Sequence, residues 1–535
     1  MDLRHLPYPS RRSPVLAKNG IVATSQPLAA QAGLSILQAG GNAVDAAIAT
    51  AAMMTVVEPC SNGIGSDAFA IVWDGAKLHG YNGSGRAPAG LTEERVRSAG
   101  HTSMPQHGWL TVTVPGTPRT WADLNGRFGK LDLNQVLAPA IRTADEGYAV
   151  TPVIAAQWAA GAAGQRGRRG PEFEAWWDLF APGGKAPAAG DIWGSPNHAR
   201  SLQRIAATGA DDFYQGELAQ KIAAFAAGTG GVMTEADLAA HFGSWVDPIN
   251  TSYGGYEVWE IPPNGQGLAA LLALNILDDP SFGFSGRVRE AADIYHLQIE
   301  AMKLAFADAF RYIADPDKVP VPTAGLLSKS YAAKRRALIK ETAQVYAHWI
   351  PKSGDTIYLC AADRDGMMVS YIQSNRSGFG SGVVVPGTGI ALQNRGWDFV
   401  LEPDHPNLVA PGKRPYHTII PGFLTQGGQA VGPFGIMGGL MQPQAHLQVM
   451  QHVIDWGLNP QAALDGPRWQ VISGLDVLLE KGAAPEIIDG LQARGHHVGV
   501  GETGTFGRGQ IIWRLPSGAL VAGSEPRADG AAVGY

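Results

Sequence analysis

A threonine stands at position 356, after Ser353-Gly354-Asp355 and at the head of an apolar run, Ile357-Tyr358-Leu359-Cys360. A hydroxyl at its free pKa is a weak nucleophile and needs a base. A cut between Asp355 and Thr356 would free an α-amine of pKa about 7.7–8.0, close to working pH. One residue would then hold both nucleophile and base. It could attack an amide carbonyl, carry the acyl group, and pass it to water or to an amine. Most threonines at strand starts are structural, and only the company this one keeps makes it a candidate nucleophile.

That company is ordered. Downstream come the turn Asp363-Arg364-Asp365-Gly366, then Ser374, Gly378-Phe379-Gly380, Gly389-Ile390, Asn394 and Asp398-Phe399. Pro411-Gly412-Lys413-Arg414-Pro415 and Met437-Gly438-Gly439 follow. Upstream lie Gly40-Gly41-Asn42-Ala43-Val44-Asp45-Ala46-Ala47, Val57-Glu58-Pro59 with Gly63-Ile64-Gly65, and Val114-Pro115-Gly116-Thr117. Glu300-Ala301, Asp315-Pro316, Glu525-Pro526-Arg527 and the final Gly534-Tyr535 complete the set. In order and spacing these segments resemble the γ-glutamyltransferases (gamma-glutamyltranspeptidases, glutathione hydrolases), and among them a lid-less bacterial-type member. The resemblance runs from about Ala23 to Tyr535 and is weakest across 150–200 and 316–350.

The resemblance implies an α+β fold, the four-layer αββα sandwich of the N-terminal-nucleophile hydrolases. It implies a precursor cut between Asp355 and Thr356 into a large subunit, 1–355, and a small subunit, 356–535, which remain together as one heterodimer. Thr356 would be the nucleophile, Ser374 the hydroxyl beside it, and Gly438 and Gly439 the donors to the developing oxyanion. Such donors matter because charge appears on the carbonyl oxygen as it is attacked.

The substrate-binding positions depart from the family pattern. Where the family holds the α-amino group of a glutamyl substrate with an Asn, a Gln and an Asp, this chain has Arg376, Arg395 and Asp398. His417 and Thr418 replace two consecutive serines, and Arg86 stands two positions after the family arginine, whose place Ser84 takes. Two guanidiniums in place of neutral amides favour an anionic acyl group over a zwitterionic one. The expected activity is cleavage of γ-glutamyl-type amides through an acyl-Thr356 intermediate. The alternative is a non-glutamyl amide bearing a carboxylate, such as glutaryl, a cephalosporin side chain or oxamate. A third option is a non-processing scaffold or binding member, against which Thr356, Ser374 and the glycine pair speak. Only a short Pro-rich stretch joins Asp398-Phe399 to Lys413-Arg414-Pro415. No lid is expected there, and an open pocket favours hydrolysis over transpeptidation.

These residues need a rigid frame. Residues 23–57 carry helical spacing through Ala29, Ala30, Leu34 and Leu37, a stop at Gly40-Gly41, and an Asn42 cap. The next helix, Ala43 to Val56, is apolar all round and therefore buried. Residues 68–82 read as a hairpin around Asp74-Gly75. Residues 131–147 predict an amphipathic helix, 160–190 an irregular insertion, and 200–310 a mostly helical region ending in a helix over 288–313. Strands are expected at Ile357–Ala362, Met367–Gln373 and Gly382–Val385, a helix over Ala445–Trp456, and a hairpin of Ile511–Leu515 with Leu520–Ala522. Helices and strands in alternating blocks suit a layered sandwich with sheet inside.

The formal charge of −6 and pI near 6.2 build no broad cationic face, which argues against nucleic acid. The Arg166, Arg168, Arg169 cluster reads as a solvated loop. Two cysteines, Cys60 and Cys360, make no disulfide framework and read as small buried hydrophobes. His405, His417, His446 and His496-His497 lack metal-ligand spacing, and the glycines at 63–65 lack dinucleotide or P-loop spacing. Neither metal nor cofactor is expected. The N-terminal stretch has no apolar secretory core, and the run Ala46 to Val57 is too short to span a bilayer. The expectation is a soluble cytoplasmic protein whose partner is a small-molecule amide.

Overall fold

The computed structural model describes Tyr8, residues 12–346 and residues 354–535; Ser353 lies outside them. Two seven-stranded antiparallel sheets form its centre. One runs Ala531–Gly534, Gly20–Thr24, Asp355–Asp363, Met368–Arg376, Asp67–Trp73, Leu78–Asn82, Ser244–Val246. The other runs Val15–Ala17, Leu520–Ser524, Arg508–Arg514, Gln429–Met437, Gly422–Gln426, Tyr256–Glu260, Ile249–Tyr253.

The strand behind Thr356 shows why the layers form. Side chains of a strand alternate between faces. Ile357, Leu359 and Ala361 pack into a core with helices Pro27–Gln38, Ala43–Val57, Leu133–Glu146 and Pro196–Thr208. Tyr358, Cys360 and Ala362 point the other way, into an apolar layer shared with Phe423, Met437 and Ile512 of the second sheet. The second sheet's outer face meets helices Gly267–Leu277, Ala292–Tyr312 and Met441–Ile454. This is the expected αββα sandwich.

All fifteen residues of Ala43–Val57 are buried. The Asn42 side chain accepts from Val44 N and Asp45 N, and Asp45 returns a bond to Asn42 N. Asp363, from the turn after the Thr356 strand, accepts from Ala43 N at 2.9 Å. That glycine-asparagine-aspartate motif is therefore a helix start locked to the central sheet.

Three segments differ from expectation. Residues 160–190 contain the end of helix Pro152–Gln165 and helix Glu174–Phe180, and their Trp176 and Phe180 ring Phe379 at 5.0 and 4.7 Å. Burial of aromatic area orders what glycine content alone would leave loose. Arg168 is half-buried there and donates to His107. Within 200–310, Ser244–Val246 and Ile249–Tyr253 are edge strands of the two sheets, and Tyr256–Glu260 pairs beside the latter through Gly254-Gly255. The helix expected at 445 begins at Met441, next to the Gly438-Gly439 pair. Among the described residues no helix is long and apolar enough to cross a membrane.

Candidate active site

Thr356 lies where strand pairing slips. Asp355 faces Arg376 while Ile357 faces Gln373, which leaves Thr356 opposite both Ser374 and Asn375. Such an irregularity bends the strand and re-aims its side chains. Arg376, at its edge, takes φ +83°, a conformation rare outside glycine. The strain is of order 1–3 kcal/mol and is held by the surroundings.

Three hydrogen bonds meet at Ser374. Thr356 Oγ1 donates to Ser374 Oγ at 3.1 Å, and Arg376 N donates to it at 2.8 Å. Ser374 Oγ donates to the carbonyl oxygen of Asp355 at 2.8 Å. One proton and two lone pairs are all that a hydroxyl has, so Ser374 is fully used. Both hydroxyl residues are buried. The attacking group and the carbonyl it would attack are joined through one side chain.

Gly438 and Gly439 end the strand Gln429–Met437 at φ +133° and +60°. Gln266 Nε2 holds this turn, donating to the carbonyl of Gly439 at 2.8 Å and to that of Thr418 at 2.5 Å. A Cβ on Gly439 would stand 3.0 Å from Gly354 N, so the glycine turn lies against the residues just before Thr356. A cleft of about 530 Å³ reaches Gly354, Asp355 and Gly438, walled by Met437, Leu440 and Val471.

The arginines form a second group. Arg376 Nε donates to both Asp398 oxygens, at 3.1 and 2.9 Å, Nη2 donates at 2.6 Å, and the guanidinium lies 4.4 Å over Trp397. Arg395 Nη1 donates to Asp398 Oδ2 at 3.2 Å and to Thr418 Oγ1 at 2.7 Å. Arg395 Nε and Nη2 meet no acceptor among the described residues. Burial pulls the Arg395 pKa down to about 10, with Asp398 opposing, so it stays charged at neutral pH. Arg376, Arg395, His417 and Thr418 are each no more than 1% exposed. Gly354 lies over Arg376, since a Cβ there would stand 2.6 Å from the Arg376 carbonyl oxygen.

His417 adds no charge to this group. Its Nδ1 accepts from Ile419 N at 3.4 Å, so its proton sits on Nε2, 3.2 Å from Asp67 Oδ2. Burial, then Arg395 and Arg376, push its pKa well below the usual histidine range. Asp67, which also accepts from Gly85 N and Gly116 N at 3.0 and 3.1 Å, is pushed up to about 6 by burial. Arg86 stands apart. It pairs with Asp317 at 3.1 Å and lies 4.4 Å over the Phe242 ring, while Arg414 shares Asp317 at 3.4 Å. His446 is structural, donating to Glu260 at 2.6 Å and accepting from Ile436 N at 3.1 Å.

The gamma-glutamyltranspeptidase family model matches residues 29–535. The chain belongs to the gamma-glutamyltranspeptidase family. As a member it is an enzyme, an amidohydrolase and acyltransferase on the N-terminal-nucleophile fold. A glutathione hydrolase-like proenzyme, YwrD of Bacillus subtilis (strain 168), is 36% identical, covering 97% of this chain and 99% of the relative. An acylase ACY 1 proenzyme of Pseudomonas sp. (strain SE83) is 34% identical over 98% and 95%. The crystal structure of a cephalosporin acylase from Bacillus halodurans is 55% identical and superposes with a TM-score of 0.95, covering 100% of this chain and 99% of that one.

Within this gamma-glutamyltranspeptidase-family frame, the structure brings Thr356, Ser374, Gly438 and Gly439 together around Asp355, and groups Arg376, Arg395, Asp398 and Thr418 beside them. The sequence did not single out Asp67, Gln266 or Trp397. Asp67 stands two residues after the glycine segment 63–65, and Gln266 follows Asn264-Gly265. A lone acid or amide beside a tight glycine turn was the available signal.

Proposed function

We propose that the chain is a proenzyme that cuts itself between Asp355 and Thr356, giving subunits 1–355 and 356–535 that stay together. The observation that carries this is the hydroxyl of Ser374, bonded at once to Thr356 Oγ1 and to the Asp355 carbonyl oxygen. Thr356 Oγ attacks the Asp355 carbonyl carbon, and its proton passes by way of Ser374 to the Thr356 nitrogen, which leaves as the amine. The C–N bond breaks, the acyl group sits on Thr356 Oγ as an ester, and the α-amine is freed. Water then hydrolyses the ester. In turnover the same oxygen attacks an amide substrate, the α-amine takes the proton and passes it to the leaving amine, the Gly438 and Gly439 turn supports the oxyanion, and water or an amine then takes the acyl group from Thr356. Intact mass of the wild type beside Thr356→Ala tests this. Fragments ending at Asp355 and starting at Thr356 only in the wild type are expected, and a single 535-residue chain in both would overturn it.

The acyl group, on this proposal, bears a carboxylate and no α-ammonium. In a glutamyl site Asp398 would receive the ammonium. Here two guanidiniums already share that carboxylate, and Arg395 keeps two buried donors that meet no acceptor among the described residues. A buried donor without an acceptor is costly, and an incoming carboxylate would satisfy it. The likeness to the Bacillus halodurans cephalosporin acylase supports an amide outside the glutamyl class. Because Gly354 covers Arg376, self-cleavage is also what would open this pocket. Faster turnover of a γ-glutamyl anilide than of its des-amino glutaryl counterpart would overturn the assignment.

A further inference from the structure

Helix Ala292–Tyr312 buries His296, Glu300 and Lys303, none more than 3% exposed, and the chemistry at Thr356 uses none of them. Burying such groups is costly unless each is paired. Their partners come mostly from one irregular stretch, residues 339–346. His296 Nε2 donates to the Lys340 carbonyl at 2.7 Å. Glu300 accepts from Gln344 N at 3.4 and 3.3 Å and from Tyr346 OH at 2.7 Å. Lys303 Nζ pairs with Glu300 and donates to the Gln344 carbonyl at 2.5 Å. Behind them His496 Nε2 donates to His296 Nδ1 at 2.8 Å, and Ala343 N donates to the Arg494 carbonyl at 2.7 Å.

His296, Glu300 and His496 bring ligand atoms within 4.8 Å of one another. A metal there would have to expel the Lys303 ammonium, which already neutralises Glu300. The group is instead a built receptor for a backbone segment. Its last gripped residue is Tyr346, and seven residues separate Tyr346 from Gly354. That connection spans at most about 26–29 Å when fully extended. A short tether between fixed ends raises the local concentration of one at the other.

We infer that His296, Glu300 and Lys303 are positioning residues for self-cleavage: they fix the end of the large fragment so that the Asp355 carbonyl stays on Ser374 and Thr356. The inference rests on the self-cleavage proposed above. The test follows full-length chain from a cell-free translation reaction by intact mass against time. Two variants are compared, Tyr346→Phe and the paired Glu300→Gln with Lys303→Met, which removes both buried charges together. Each is expected to slow the cut about tenfold, the scale of one lost charged hydrogen bond. kcat/KM per mole of cut protein should stay at the wild-type value, which a general structural defect would not allow. An insertion of six Gly/Ser residues after position 350 should slow the wild type and have no further effect in the paired variant. Wild-type cutting rates in Tyr346→Phe, which removes a single hydroxyl and should fold even if the pair does not, would overturn the inference and leave self-cleavage standing. A wild type that never cuts would overturn the proposal beneath it.

Discussion

Ser374 Oγ donates its proton to the carbonyl oxygen of Asp355 at 2.8 Å, across the peptide whose nitrogen belongs to Thr356. The bond polarises the carbonyl that Thr356 attacks. Ser374→Ala removes it and leaves Thr356 Oγ1 without its 3.1 Å partner. Loss of one such donor costs about 10²–10³ in rate. Self-cleavage followed by intact mass should slow by that factor, and a wild-type rate would place the essential donor elsewhere.

Gly439 takes φ +60°, and a Cβ there would stand 3.0 Å from Gly354 N. An alanine is strained in this conformation by about 1–2 kcal/mol, and the contact pushes Gly354 away from the turn. Gly439→Ala should lower Tm by a few degrees and slow self-cleavage far more than that stability loss explains. Tm and cutting rate measured on the same sample check this, and a fall in Tm alone would contradict it.

The αββα order came from the family resemblance, while several elements of the frame were legible in themselves because their patterns are local. The all-apolar Ala43–Val57 helix, the Asn42 cap and the strand pair after Thr356 each follow from periodicity and turn chemistry. The strands Ile249–Tyr253 and Tyr256–Glu260 went unseen although Gly254-Gly255 is a hairpin signal. Helices Glu235–Ala239 and Gly267–Leu277 lie on either side of this short strand region, and that context masked a short alternation. At the site, residue types pointed to the arginine pair, but not to where its charge goes. Asp398 ties Arg376 to Arg395 through a loop, and His417, held neutral by burial and the arginines, meets Asp67, some 350 residues earlier in the chain. Pairings over such distances are set by the fold, so spacing in sequence does not carry them.

Asp67 makes stability depend on pH. Burial raises its folded pKa to about 6, above the ordinary carboxylate range. The folded state therefore binds this proton more tightly than the unfolded chain. The resulting stabilisation is present in full below about pH 4 and is lost as pH rises through about 6. Asp67→Asn does not titrate. Tm of the wild type relative to Asp67→Asn should therefore fall between about pH 4 and about pH 7. A flat difference would mean that Asp67 is ionised throughout.

Cys60 and Cys360 are buried, and burial raises both thiol pKa values. The thiolate is the reactive form. Native protein should show no titratable thiol toward a disulfide reagent, and denatured protein two. Fast reaction of either in the native state would show that its pocket opens.

Arg395 should decide which acyl groups are accepted. Its Nη1 is spent on Asp398 and Thr418, while Nε and Nη2 have no acceptor among the described residues. A carboxylate at the end of the acyl chain would meet these two donors, and a charge-assisted bond is worth about 1.5–3 kcal/mol. Arg395→Met keeps an apolar stem and removes the donors. Its kcat/KM for a glutaryl anilide should fall by about 10- to 100-fold, while that for the uncharged butyryl anilide changes little. The ratio of the two is the decisive quantity, because a packing defect lowers both alike. Arg376→Met is expected to be less selective. Arg376 already gives Asp398 three contacts and stacks on Trp397, so its loss leaves Asp398 with the Arg395 contact and makes the pocket less positive by one charge. The lost positive charge favours an ammonium over a second carboxylate, and Arg376→Met should shift preference toward the γ-glutamyl anilide. Equal losses on all three anilides for both variants would remove the arginines from substrate recognition.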